Sequence, residues 1–202
     1  ISGELVVTSL IELVGWMTPV LVAFQKENPD ITVRFLTGER LFRLEYGEAH
    51  VAIRAGLAPD QPDNVVQPFI TLQVGLYAHK SYVDKFGVPA SIEEYAKHRF
   101  VVHDDMQMRA PFFQWMHKVV PKDAMTFRCL DSNALTEAIL SGAGIGFLKL
   151  QDARDNPELI EIHPRLSEWD SPLWLVTHVD LHRTPKVQAL VKFLKNSAKG
   201  VV

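Results

Sequence analysis

A single cysteine, Cys129, occurs in the 202 residues, so no internal disulfide can form and nothing in the cysteine usage points to an oxidising compartment. Cys129 lies in the apolar stretch Met125 to Leu130, which predicts a buried structural thiol rather than a reactive one. Long hydrophobic runs are also missing, and none approaches the roughly 20 residues a membrane-spanning helix needs. No membrane partner is expected. Positive charge is not in excess: 21 basic residues stand against 24 acidic ones, a formal net charge of −3, and the basic residues are scattered. This segment is therefore a poor candidate for gripping nucleic acid itself. An initiator Met and a secretory-type start are lacking; Ile1-Ser2-Gly3 runs directly into the strand-like Glu4-Leu5-Val6-Val7-Thr8, so the chain is expected to be a piece of something longer.

Motifs of the common catalytic kinds are absent as well. There is no Gly-x-Ser-x-Gly elbow, no His-Glu-x-x-His and no Walker loop, and Cys129 has no nearby His. No cofactor is expected and the enzyme reading is not favoured, although acid and base groups can converge from distant positions. Metal ligation is disfavoured too. His103-Asp104-Asp105 are adjacent on an extended segment and diverge, and His178 and His182 precede Arg183-Thr184-Pro185, where a surface turn is expected rather than a helix.

What is present is a core-sized share of apolar residues, 47%, enough for one large domain or two small lobes. Extended runs at 5–8, 32–36, 50–54, 73–79, 100–103, 125–130, 145–148 and 173–177 alternate with helix-like segments at 17–28, 39–46, 80–86, 91–97, 111–118, 133–141 and 185–196. That alternation predicts an α/β fold of mostly parallel sheets with helices on both faces. Thr18-Pro19 reads as a cap and first helical residue, with Leu21 and Phe24 on the inner face. Val187, Leu190, Val191 and Leu194 form an apolar stripe, and Lys192, Lys195 and Lys199 a solvated face. Loops are expected at 55–64 and 152–157. Trp16, Trp115, Trp169 and Trp174 are expected mostly in packing roles.

The run Gly142-Ala143-Gly144-Ile145-Gly146 invites a phosphate-loop reading, but such a loop follows a strand and opens a helix. Here the order is reversed, and Gly142 suits a left-handed helix end. The anion-friendly feature is at the other end of that helix, where Asp131-Ser132-Asn133 follows a strand and reads equally as an anion-binding end or an ordinary cap. The strand Leu5–Val7 likewise ends in Thr8-Ser9. Polar groups at two strand ends in different halves of the chain suit a ligand crevice of an open α/β sheet.

These residues resemble a family. Ser2-Gly3-Glu4-Leu5-Val6-Val7-Thr8-Ser9, then Pro19-Val20-Leu21, Phe24 and Asn28-Pro29-Asp30-Ile31, resemble the start of the effector-binding domain of LysR-type transcriptional regulators. Leu44, Gly47-Glu48-Ala49-His50-Val51-Ala52-Ile53-Arg54-Ala55-Gly56, Gly75-Leu76-Tyr77-Ala78, Tyr82 and the segment from Leu135 to Leu148 continue the likeness along essentially the whole chain. Two departures stand out: His50 replaces a common Asp, and Lys149 follows Leu148 where a Pro is usual.

The resemblance implies a two-lobed, type 2 periplasmic-binding-protein-like fold, with lobe I at 1–71 plus 173–202 and lobe II at 72–172. It also implies a bacterial, cytoplasmic regulator whose winged helix-turn-helix, absent from this chain, contacts promoter DNA. A small anionic metabolite effector in the interlobe cleft would modulate a homodimer or tetramer, and the apolar stripes of helices 17–28 and 133–141 are compatible with such pairing. The effector-binding residues it implies are Thr8, Ser9, Arg54, Ala55, Gly56, His103, Ser132 and Asn133, with no catalytic residue and no metal. Arg54 suits either ligand charge neutralisation or an ion pair, and Met106 and Met108 are placed near the cleft mouth. The alternatives are a transport-type periplasmic solute-binding protein and an enzyme on the same scaffold.

Overall fold

Leu5, Val6 and Val7 are each no more than 2% exposed, and burial of consecutive strand residues means that both faces of the strand are covered. They lie in β1 (Gly3–Ser9), which pairs in parallel with β2 (Ile31–Thr37) and with β3 (Val51–Ala55). In this computed structural model, which describes residues 1–38, 44 and 48–199, β10 (Ser171–His178) continues the sheet antiparallel to β3 and β4 (Asn64–Leu72) forms its edge, in the order β2-β1-β3-β10-β4. The chain divides into two units, Ile1–Thr71 with Pro172–Val202 and Leu72–Ser171. The five-stranded sheet belongs to the first. The expected helix at 39–46 falls on residues outside the described ones, Leu44 excepted.

In unit 1, α1 (Val14–Glu27) buries Met17, Leu21 and Phe24, and α7 (Pro185–Ala198) buries Val187, Leu190, Val191 and Leu194. Phe24 meets Phe193 edge to face at 5.5 Å between ring centres, so the inner faces expected from spacing are the ones that pack. Pro19 does not open the helix: it sits inside α1, whose first turn is preceded by a 3₁₀ turn, Ile11–Leu13. The backbone hydrogen bond it forgoes would have gone to Gly15, early enough in the helix for the loss to be tolerated. Lys195 is not solvated as expected but half-buried against Gln67. A single helical turn, α6 (Val179–His182), forms where a surface turn was expected. His178 caps it, its Nδ1 accepting from the Asp180 amide, and His182 Nδ1 ties it back to Thr177 Oγ1 at 2.8 Å.

Unit 2 holds β5 (Val74–His79) between antiparallel β8 (Gly146–Lys149) and β9 (Leu159–His163), and a parallel pair of β6 (Phe100–His103) with β7 (Met125–Cys129). A bridge from Phe100 to Ile145 links the two sets. Its helices include α2 (Lys80–Phe86), α3 (Pro111–Val119), α4 (Ser132–Leu140) and a short α5 (Leu150–Arg154) that overlaps the start of the expected 152–157 loop; the helix expected at 91–97 is a 3₁₀ helix, Ile92–Lys97. Trp115, Phe147 and Trp169 pack edge to face, with Trp169 5.0 Å from Trp115 and 4.9 Å from Phe147. The apolar stripe of α4, Leu135, Ala138 and Ile139, is consumed by this core and offers nothing to a partner. Cys129 is half-buried rather than buried, its Sγ accepting from the Asp131 amide at 3.3 Å.

Two strands escaped the sequence reading. β4 contains Pro68, which argues against a strand in a sheet interior, and the structure resolves this by placing β4 at the sheet edge. β9 is a five-residue edge strand flanked by turns.

The glycine run has a packing cause. Gly142 has φ +80° and follows the α4 end, as a left-handed terminus requires. At Gly144 a Cβ would stand 2.5 Å from the Arg99 carbonyl oxygen, because Ile145 donates to that carbonyl and accepts from Val101. Gly144→Ala is expected to destabilise unit 2 by about 1–3 kcal/mol, measured as a lower urea midpoint with unchanged slope.

His50 fixes the start of β3. Its amide donates to the Val6 carbonyl at 2.8 Å, and its Nδ1 accepts from the Val6 amide at 2.9 Å. Burial, then the Lys186 ammonium, push its pKa below the ordinary 6.5, against a smaller opposing pull from Glu4. A depressed pKa means that the unfolded chain binds the proton more readily, so this stability is present above about pH 6.5 and is lost as pH falls through the folded-state value. His98 in unit 2 shifts the same way, chiefly through burial. His50→Asn, whose amide oxygen can accept from Val6 without titrating, is expected to flatten the acid limb of a melting temperature against pH curve, leaving the part due to His98. An unaltered curve would show that His50 stays uncoupled from folding.

Candidate functional site

In unit 1 the parallel register sets Thr8 level with Ala52, so Ser9 stands beside Ile53 and β3 runs on through Arg54 and Ala55 to Gly56. Thr8, Ser9, Arg54, Ala55 and Gly56 are thus gathered at the carboxyl ends of two neighbouring strands. Thr8 and Ser9 are 6% and 5% exposed. They do not cap the following helical turns, whose N-caps are Leu10 and Leu13 with no side-chain bond. The consequence is an unusual polar atom: Ser9 Oγ is buried with no hydrogen-bond partner among the described residues. Leaving a buried hydroxyl unpaired costs about 1–3 kcal/mol, and such a group calls for an explanation.

The other side of this strand end is rigid. Gly56 has φ +90°, its amide donates to the Pro172 carbonyl at 3.1 Å, and its own carbonyl accepts from Trp174 Nε1 at 2.8 Å. Arg54 lies opposite Trp174 across the antiparallel pair and reaches Gln61 Oε1 at 3.4 Å. The backbone turn is therefore held from two directions.

In unit 2, β6 and β7 are in register with His103 level with Cys129, and α4 begins three residues after β7. His103, Ser132 and Asn133 accordingly share the carboxyl edge of that pair. They differ in character. His103 is fully buried, its Nδ1 accepts from the Asp105 amide at 3.1 Å, and its ring lies 5.2 Å from that of Phe113. Ser132 is half-buried and Asn133 exposed. The helix end is not open for an anion: Asp131 is the N-cap, its carboxylate accepting from Ala134 at 2.9 Å, and a negative charge already occupies the positive end of the dipole. Spacing alone could not reveal this, since Asp caps and Ser caps read alike. Met106 is 58% exposed. Among the described residues no group of three or more His, Cys, Asp or Glu side chains could hold a metal ion, and no helix is long and apolar enough to cross a membrane.

The fold and sequence have relatives. The regulatory domain of CrgA, a LysR-type transcriptional regulator of Neisseria meningitidis, superposes with a TM-score of 0.81 at 21% identity, covering 98% of this chain and 100% of that one. Full-length AphB, a virulence activator of Vibrio cholerae and a member of the same protein family, gives 0.76 at 20% identity over 96% of this chain and 68% of AphB. At these identities the likeness establishes the fold, the two-lobed type 2 periplasmic-binding-protein-like architecture. In sequence, an HTH-type transcriptional regulator of Xanthomonas campestris pv. campestris is 26% identical over 198 residues, 90% of this chain. The chain spans about half of that relative's length, 55%. The LysR substrate binding domain family matches residues 2–199, and with nearly every described element inside that match, the chain belongs to this family.

Proposed function

We propose that this domain senses a small organic anion on behalf of a LysR-type DNA-binding regulator, and that the effector is held by polar groups at the strand ends of unit 1. The observation that carries the reading is the buried, unpartnered hydroxyl of Ser9, placed by the β1–β3 register at the carboxyl edge of parallel strands, where ligands of open α/β sheets bind. Family membership supports a regulatory role over transport or catalysis. Ser9 donates to an effector oxygen, and Arg54 at the neighbouring strand end supplies positive charge. His103, fully buried, holds the β6 end through its bond from the Asp105 amide. Because Asp131 already occupies the α4 terminus, the anion is recognised by side chains rather than by the helix dipole.

The effector works by binding one arrangement of the domain better than another, and couplings of roughly 1–3 kcal/mol are typical of such control. The regulator binds promoter DNA through a separate N-terminal segment and acts as a homodimer or larger assembly. On α1, Val14 and Val22 are 36% and 46% exposed, surface that a second copy would cover. Phe127, on β7, is 39% exposed and belongs to the same proposal.

A melting-temperature screen of organic acids identifies the effector through the stabilisation that binding confers. With that acid, Ser9→Ala is expected to weaken binding about tenfold and, because it removes a buried unpaired hydroxyl, to leave the ligand-free melting temperature unchanged or raised. Wild-type affinity by calorimetry in this variant would remove the strand-end site. For assembly, Phe127→Glu is expected to shift the sedimentation profile toward monomer; an unchanged profile would exclude β7 from the contact.

A further inference from the structure

We propose that unit 2 carries a second anion site of its own, a pocket for a small organic acid enclosed by the β6 end, α3 and β7. The pocket has a volume of about 190 Å³ and is walled by His103, Asp104, Met106, His117, Lys122 and Arg128, with Met125 beside them. Ser132 and Asn133 do not line it, and no residue of unit 1 is required, so it stands independently of the effector site above.

Its charge favours an anion. Two permanent cations, Lys122 and Arg128, face one carboxylate, Asp104. Nε of Arg128 lies 3.6 Å from that carboxylate, with both side chains at least half exposed. That spacing is longer than a hydrogen bond, so an incoming carboxylate that meets the guanidinium fork in two-point fashion competes well with it. The thioethers of Met106 and Met125 provide adaptable apolar walls, which suit the carbon body of an organic acid and give inorganic anions nothing.

His117 on α3 forms a fixed part of the wall: its Nε2 donates to the His103 carbonyl oxygen at 3.1 Å. Lys122 stands in the 3₁₀ turn Lys122–Ala124 and Arg128 on β7, so the two cations reach the pocket from different elements.

The test is calorimetric titration of the protein with butyrate and, separately, with inorganic phosphate, near neutral pH. Butyrate is expected to bind saturably in the millimolar range, phosphate more weakly. The exposed pair Lys122→Ala and Arg128→Ala together should weaken butyrate about tenfold or more. Ser9→Ala should leave butyrate binding untouched. No saturable heat from butyrate overturns the proposal, as does phosphate binding that equals butyrate and ignores the variants, which would mark an adventitious ion only. Loss of butyrate binding in Ser9→Ala would place the acid at the strand-end site and overturn the second pocket while sparing the first.

Discussion

The pairing of Val6 with His50 is the constraint on which the unit 1 site rests. A parallel neighbour has no hairpin to set its register, so something at the start of the strand must do so. Here the backbone amide of His50 takes the Val6 carbonyl and the imidazole takes the Val6 amide, and the two contacts together admit one alignment. A slip of one residue would turn every side chain to the opposite face, carrying Ser9 away from its place beside β3. The family's usual carboxylate at this position would accept from the same amide; the imidazole does so only while neutral, which ties this alignment to pH.

From that register follows the chemistry of the strand ends. Ser9 is buried by the sheet and its covering helices yet left out of every cap, because the turns after β1 begin at Leu10 and Leu13. An unpaired hydroxyl in such a place is tolerable only if a ligand or solvent completes it. Unit 2 has spent its own anion-binding end differently. Asp131 closes α4 from within, and Lys122 and Arg128 line a separate pocket beside β6 and β7.

Much of this was legible in the residues. The inner faces of α1 and α7 follow from apolar spacing at 3.6 residues, and they are the faces that pack. Gly142 could be assigned a left-handed helix end because the helix precedes the strand. Other features were hidden for identifiable reasons. Pro68 disguised β4 because a proline is admitted at a sheet edge, and edge position is a tertiary fact. Pro19 suggested a helix start because the 3₁₀ turn that lengthens the helix backward leaves no pattern of its own. The burial of His103 and the placement of His117 were invisible, since both depend on a carbonyl and an amide brought near by β6 and its following loop. The histidine at position 50 stood out only as a departure from the family's common residue, and its meaning emerged from the Val6 amide it faces.

The central claim is that the β1–β3 register presents Ser9 Oγ to an effector oxygen. A crystal structure of the domain with its stabilising organic acid bound tests this most directly. The account predicts an acid oxygen within hydrogen-bond distance of Ser9 Oγ, with the Val6–His50 contacts intact. An acid bound with full occupancy elsewhere, and Ser9 Oγ still without a partner, would contradict it.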